Sequence, residues 1–254
     1  MDVLVEDTPS LDPVSNLGLE EALVRSEPPS PVLRVWQNSP CVVVGRGQRM
    51  EREVDLAACA RDGVPVLRRA SGGGAVYHDL GNLNVTVVVP GYRTGLAAHL
   101  VQLIAEVIRQ YGLEPSIGVR GIHVGSTKVS GLASQVTRTG TLAHATVLVT
   151  TPAVRVGVYL APAPAEPHPL DSRRGPVAPL RAYRTDLGVP GVQASVLAAA
   201  ARRFGRLRSR PPRETELSWR TRLLRERYCD PSWHLTGRPR EGSWMMRHDS
   251  ICTG

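Results

Sequence analysis

The 254-residue chain carries a single lysine, Lys128, and a single phenylalanine, although lysine and arginine together number 31. A core without phenylalanine must rest on valine, leucine and alanine, with the few tryptophans and tyrosines as larger pieces. Cysteine is scarce as well. The four, at 41, 59, 229 and 252, lack the paired spacing of a metal site, and the first residues do not resemble a signal peptide. No apolar run reaches the roughly 18 residues that span a bilayer. A reduced, cytoplasmic protein with no membrane segment is the expectation. The Gly-Lys-Ser/Thr of a P-loop is missing, and so is the strand-turn-helix elbow of a hydrolase serine. The formal charge of +8 first suggests nucleic acid. No basic run interleaves with aromatics, however, and attraction to an acidic partner or substrate fits the charge equally well.

With 42% hydrophobic and 21% charged residues, the composition suits one large globular domain. The chain is organised around Arg68-Arg69-Ala70-Ser71-Gly72-Gly73-Gly74-Ala75-Val76-Tyr77-His78-Asp79. Extended runs flank it at 64–67 and 83–89. Three adjacent glycines pack nothing and cost backbone entropy; their use is close approach to a ligand, with N–H groups turned toward one anion. The paired arginines add charge and forked donors suited to phosphate or carboxylate.

In order along the chain, 1–15 is expected to be an arm, followed by a short helix capped by Ser15 or Asn16. Alternation predicts a strand at 32–36, and Cys41 to Val44 is a continuous apolar strand ending in Gly45-Arg46-Gly47-Gln48. A helix from about 54 stops at Gly63. The spacing of Leu96, Leu100, Leu103, Val107 and Tyr111 predicts the longest helix, over 96–111. A hairpin follows at 122–133, with Lys128 just past its turn. A strand after Gly140 turns Leu142, His144, Thr146 and Leu148 to one face. The proline-rich 161–180 suggests a surface connection or mobile loop, and two helices are expected at 192–204 and 214–228. These elements predict an α+β fold with a mixed, mostly antiparallel sheet flanked by helices.

Residues able to carry chemistry are Arg46, Arg69, Ser71 to Gly74, His78, Asp79, Asn82, Lys128, Ser130 and His144. Lys128 can neutralise charge developing on a phosphate or acyl oxygen, or be a solvated hairpin charge. His78 and Asp79 fit an acid–base pair or a capped turn. His144 fits a ligand contact or a hydrogen-bonded core histidine.

Together these segments resemble the lipoate–protein ligase family, within the biotin and lipoate ligases. The likeness runs from Asn16-Leu17-Gly18-Leu19-Glu20-Glu21-Ala22 through Val43 to Gln48, and peaks at 68–84. It returns at Lys128-Val129-Ser130-Gly131-Leu132-Ala133 and His144-Ala145-Thr146, and ends near Tyr228 and Trp233. The resemblance implies a class II synthetase-like catalytic domain over 16–237, a tail over 238–254 and no accessory domain. It implies ATP and Mg2+ as cofactors, lipoate or octanoate as substrate, an acyl-adenylate, and transfer to a lysine of a lipoyl domain. That partner would belong to a 2-oxoacid dehydrogenase complex or be the glycine cleavage H protein, and a separate accessory chain is possible. By the same resemblance Lys128 is catalytic. Arg46, Arg69, Ser71, Gly72, Gly73, Gly74, Ala75, Val76, Tyr77, His78, Asn82, Ser130, Gly131, Ala133 and His144 would contact substrate or adenylate. The departures are Arg120-Gly121, where an Asn-Asp pair with a metal- or adenylate-placing carboxylate is common, and Ala145 for a glycine. The alternatives are an ATP-independent octanoyl- or lipoyl-transferase, which would need a thiol near Lys128, and a non-catalytic binder of acyl-carrier proteins.

Overall fold

The computed structural model describes residues 1–4, 9–119 and 121–239. Its elements are β1 (Asp2–Leu4), α1 (Pro13–Arg25), β2 (Val32–Trp36), β3 (Cys41–Val44), α2 (Met50–Glu53), α3 (Leu56–Arg61), β4 (Val66–Arg68), β5 (Val76–His78), β6 (Asn82–Pro90), α4 (Leu96–Gln110), β7 (Pro115–Gly118), β8 (Gly121–Val124), β9 (Thr127–Val136), β10 (Gly140–Leu148), α5 (Ala153–Tyr159), α6 (Val189–Phe204), β11 (Arg208–Arg210), α7 (Glu214–Leu223) and α8 (Pro231–Thr236).

The large sheet has the order β11-β1-β2-β6-β10-β9-β8-β7, and a small sheet the order β4-β3-β5. Pairing in the large sheet is antiparallel from β2 to β7 and parallel only at β11, β1 and β2. The fold is α+β, with a mixed sheet flanked by helices. Alternation on the two central strands, β6 and β10, decides what each face does. Val85, Val87, Ala143, Ala145 and Val147 join the main core with α4 and α6. Within α4, Leu103, Ile104 and Ile108 are fully buried, each worth about 1.5–3 kcal/mol of apolar transfer. The intervening residues Asn84, Thr86, His144 and Thr146 must therefore face the other way. That polar face, roofed by α1 and the small sheet, is where the site forms.

Several local expectations change. Asp2–Leu4 is not an arm: it is a buried strand between β2 and β11. Its partners begin at residues 32 and 208 of the chain, so no local pattern signals it. The cap of α1 is Asp12, which accepts from Val14 N and Ser15 N at 3.2 and 2.8 Å. Asn16 instead is buried, donating through Nδ2 to Ser10 O, Gln37 O and Asn38 Oδ1. The helix expected from 54 to 63 divides into α2 and α3, because Val54 is extended and bridges Leu160. Beyond Leu223 the last long helix widens into a π-helical turn over Leu224–Tyr228. Among the described residues no helix is long and apolar enough to cross a membrane.

Candidate active site

A cavity of about 530 Å³ opens between the polar face of the large sheet, the small sheet, α5 and the segment 172–177. Leu17, Val43, Leu132, Leu148, Val156 and Leu160 give it apolar walls; Glu20, Arg69, Lys128, Ser130, His144 and Thr146 interrupt them. Such a shape suits a ligand with a long apolar part and a charged end.

Lys128 follows a turn at Gly125, whose φ of 56° favours glycine. It stands on β9, and its side chain lies beside Gly121 of β8 and Gly131 of its own strand. A Cβ placed on Gly121 would stand 2.5 Å from Lys128 Cε, and one placed on Gly131 would stand 3.8 Å from Lys128 Nζ. The same Cβ would stand 2.4 Å from the Ser130 backbone oxygen, which explains the glycine there; Arg120 lies outside the described residues. The backbone of Lys128 is also held. Its N–H donates to Pro176 O at 2.8 Å, and its carbonyl accepts from Ala178 N at 3.2 Å.

The two arginines before the glycine loop turn inward. Arg68 Nη1 donates to the carbonyls of Gly45, Arg46 and Gln48, and its Nε and Nη2 donate to those of His234 and Leu235. Arg69 donates through Nη1 to Val43 O, through Nη2 to Gly72 O and Gly74 O, and through Nε to Ser71 Oγ. Burial lowers the Arg69 pKa to about 10, so it stays charged at neutral pH. Arg69 thus braces the glycine loop and also lines the cavity, whereas Arg68 ties the turn at 45–48 to the end of α8. Gly73 takes a φ of 89°, as the triple glycine suggests.

Ser71 Oγ lies 2.9 Å from His144 Nε2, and His144 Nδ1 lies 2.8 Å from Glu20 Oε1. Thr86 Oγ1 donates to the same carboxylate oxygen at 2.6 Å and accepts from Trp36 Nε1 at 3.0 Å. The order is that of a Ser-His-acid triad, but the serine is 3% exposed, does not line the cavity and already accepts from Arg69. It fastens the loop to the sheet. Burial of Glu20 opposes its charge; His144, the Thr86 hydroxyl and Arg34 outweigh that and hold its pKa below the ordinary carboxylate value. A depressed carboxylate adds stability above its unfolded pKa and loses it as pH falls through the folded one. We therefore expect wild-type thermal midpoints to fall more steeply than those of Glu20→Gln as pH drops below the ordinary glutamate range. Parallel curves would remove Glu20 from the acid sensitivity.

His78 and Asp79 are not a pair. His78 Nδ1 meets Asn38 Nδ2 at 3.1 Å, whereas Asp79 accepts from Gly81 N and Thr151 Oγ1 in a turn. Of the residues singled out in the sequence, Lys128, Arg69, Gly74, Ala75, Val76, Tyr77, His78, Ser130, Gly131, Ala133 and His144 line the cavity. Arg46, Ser71, Gly72, Gly73 and Asn82 are not among its lining; Arg46 is exposed and Asn82 is fully buried.

The proline-rich segment is the largest surprise. Most of 162–170 is exposed, as a surface connection would be, but 172–177 folds over the cavity, with Ser172, Arg173, Arg174 and Val177 in the lining. Arg52 holds Asp171 at 2.6 Å and keeps its carboxyl down at about 2; Glu53 takes Arg174 Nη2 at 2.7 Å and Ser172 N at 2.8 Å. Ser172 Oγ in turn accepts from Ala75 N at 2.8 Å. Glu20, Trp36, Asn84 and Ser172 are site residues that the sequence reasoning passed over. For Glu20 a signal existed, a carboxylate among Leu19, Ala22 and Leu23 that needs a buried partner.

At the level of fold, the chain aligns with a bipartite lipoate protein ligase of Thermoplasma acidophilum, studied with its E2 lipoyl domain. The TM-score is 0.81 at 26% identity, covering 95% of this chain and 98% of that one. A lipoate-protein ligase A bound with ATP aligns with a TM-score of 0.76 at 27% identity, covering 92% and 98%. The class is that of α+β ligase catalytic domains. In sequence, residues 12–201 match the lipoyl protein ligase A/B catalytic domain, and the chain belongs to that family. A protein of Aeropyrum pernix assigned as a lipoate-protein ligase A is 38% identical over 175 residues, 66% of this chain. The chain spans 64% of that relative's length.

Proposed function

We propose that the chain is a lipoate–protein ligase that activates lipoate or octanoate with ATP and passes the acyl group to a lysine of a lipoyl domain. The observation that carries this reading is the placement of Lys128 on an apolar cavity that the end of the glycine loop, Gly74 and Ala75, also lines. In the first step a carboxylate oxygen attacks the α-phosphorus, and pyrophosphate leaves. Negative charge grows on the phosphoryl oxygens, where the Lys128 ammonium can donate. In the second step the carrier's amine attacks the acyl carbon, and AMP leaves with the bonding pair. The apolar walls hold the chain, and Arg173, exposed at the rim, suits the nucleotide phosphates. Among the described residues no group of three His, Cys, Asp or Glu side chains is placed to hold a metal ion. Magnesium, which usually binds through substrate phosphates and one or two carboxylates, would enter with the ATP, and no step is assigned to it.

The relatives support the substrates: the Thermoplasma ligase was studied with an E2 lipoyl domain, and another neighbour binds ATP. We extend this to lipoyl domains of 2-oxoacid dehydrogenase complexes or the H protein, and to a separate accessory chain. The net positive charge would speed encounter with an acidic carrier. Incubating the protein with each acid and ATP-Mg, and following pyrophosphate and acyl-adenylate, tests the reading; release of neither would refute it.

A thiol route has no support in the geometry. Cys41, Cys59 and Cys229 are not among the cavity lining; Cys252 lies outside the described residues. Burial pushes the Cys41 thiol far up and Cys59 to about 11, so neither is a ready thiolate. A Cys41→Ala, Cys59→Ala double variant is expected to keep acyl transfer that still needs ATP, apart from modest packing loss. ATP-independent transfer abolished by these changes would replace the ligase with a cysteine transferase.

A further inference from the structure

The turn Gly45-Arg46-Gly47-Gln48 leaves its arginine exposed and outside the cavity lining, but buries its glutamine. Gln48 is 5% exposed, and both polar atoms of its side chain are engaged. A backbone N–H only donates, so Gly45 N, 2.9 Å from Oε1, fixes which end of the amide is oxygen. Nε2 is then the donor end. It gives its two hydrogens to Leu170 O at 3.2 Å and Ser172 Oγ at 3.1 Å. The same Ser172 hydroxyl accepts from Ala75 N at 2.8 Å, and both Ser172 and Ala75 line the cavity. Gln48 is itself held in place. Its N–H donates to Gly45 O at 3.1 Å, and its carbonyl accepts from Arg68 Nη1 at 2.7 Å.

One amide thus ties three stretches that are far apart in the chain: the turn at 45–48, the segment at 170–172 and the end of the glycine loop. They are in close contact. A Cβ on Gly47 would stand 3.3 Å from Leu170 Cδ1, and one on Gly74 would stand 2.8 Å from Ser172 Oγ. The segment has a separate anchorage on α2, where Arg52 holds Asp171 and Glu53 holds Arg174 and the Ser172 N–H. Loss of the Gln48 tie therefore releases the Ser172 hydroxyl without cutting the segment loose.

We infer that Gln48 is a positioning residue for acyl transfer: from outside the cavity lining it acts through Ser172 to hold the segment 170–175 against Ala75, so that this wall of the cavity is in place before the ligand binds. This rests on the ligase reading above, whose site it sets. A wall that is in place only part of the time lowers apparent affinity in proportion to the competent fraction. Once ligand saturates the site, the wall is held by the ligand and turnover proceeds as before.

Steady-state acyl transfer, together with amide hydrogen exchange on the unliganded protein, tests this. Gln48→Met keeps the length of the side chain and removes both ends of the amide. It should raise KM for lipoate about fivefold to tenfold, the range of one or two neutral hydrogen bonds, and leave kcat within about twofold. In the free protein the Ala75 amide should exchange faster than in wild type. Ser172→Ala, which removes the hydroxyl itself, should raise KM likewise. The double variant should fall short of the summed effects, because one hydroxyl carries both. A merely structural role would lower kcat as folded enzyme is lost and leave KM unmoved. Thermal midpoints verify folding, and if Gln48→Met does not fold, the KM of Ser172→Ala still decides. An unmoved KM, unchanged exchange at Ala75 or fully additive effects would overturn the inference and leave the ligase reading intact. A wild type that forms no acyl-adenylate would overturn both.

Discussion

Lys128→Ala is expected to leave the fold standing and to cut acyl transfer by on the order of 10² to 10³, the usual loss for one charge-stabilising contact at a reacting centre. The side chain lies over Gly121 and Gly131 and supports no core cluster, so thermal midpoints should barely move. Lys128→Arg should not rescue the activity fully. The larger guanidinium has no room above a glycine whose built Cβ already lies 2.5 Å from Cε. A single-turnover assay of acyl-adenylate formation is the direct measure. Near-normal turnover in a folded Lys128→Ala protein would remove the lysine from the chemistry.

The second large effect falls on Gly45, not on the triple glycine itself. A Cβ on Gly45 would sit 2.2 Å from Gly73 O, so even alanine must push the loop away. Overpacking of this kind typically costs roughly 1–3 kcal/mol, and here the displaced backbone leads directly into Gly74 and Ala75, which line the cavity. Gly45→Ala should therefore lose both stability and ligand affinity. Gly72→Ala is the contrast: its Cβ meets nothing within 4 Å, and Gly72 is not among the positive-φ residues, so stability should hold. Gly73 is a poor probe, since its φ of 89° and the Ala133 and Arg69 atoms at 3.0 Å would strain any substitute. Denaturant midpoints for the two variants check the contrast. Equal stability would mean that the strand end and loop do not meet this closely.

How far the sequence carried the fold depends on the range of the interaction. Helix α4 was legible because its burial repeats within fifteen residues, and β10 because alternation is written into nine. β1 was not, since three residues acquire their strand only by lying between β2 and β11. The site divides in the same way. Lys128 and the glycine loop announce themselves by composition. The segment 161–179 did not, because proline removes donors and periodicity alike, and what fixes it is Arg52 and Glu53, more than a hundred residues upstream. Asn84 was hidden inside an apolar strand, where only the face of the sheet shows what it meets.

Arg69 spends its hydrogen bonds on three carbonyls and a hydroxyl, none of which carries a full opposing charge. Glu20 and Glu53 act on it only through space. Glu20, which lines the same cavity, offsets part of the guanidinium's positive field, and the remainder reaches the cavity at a low effective dielectric, where such fields decay slowly. An anion in that cavity is stabilised by a charge it need never touch, already oriented before the ligand arrives. The residue that folds the loop also sets the potential inside it.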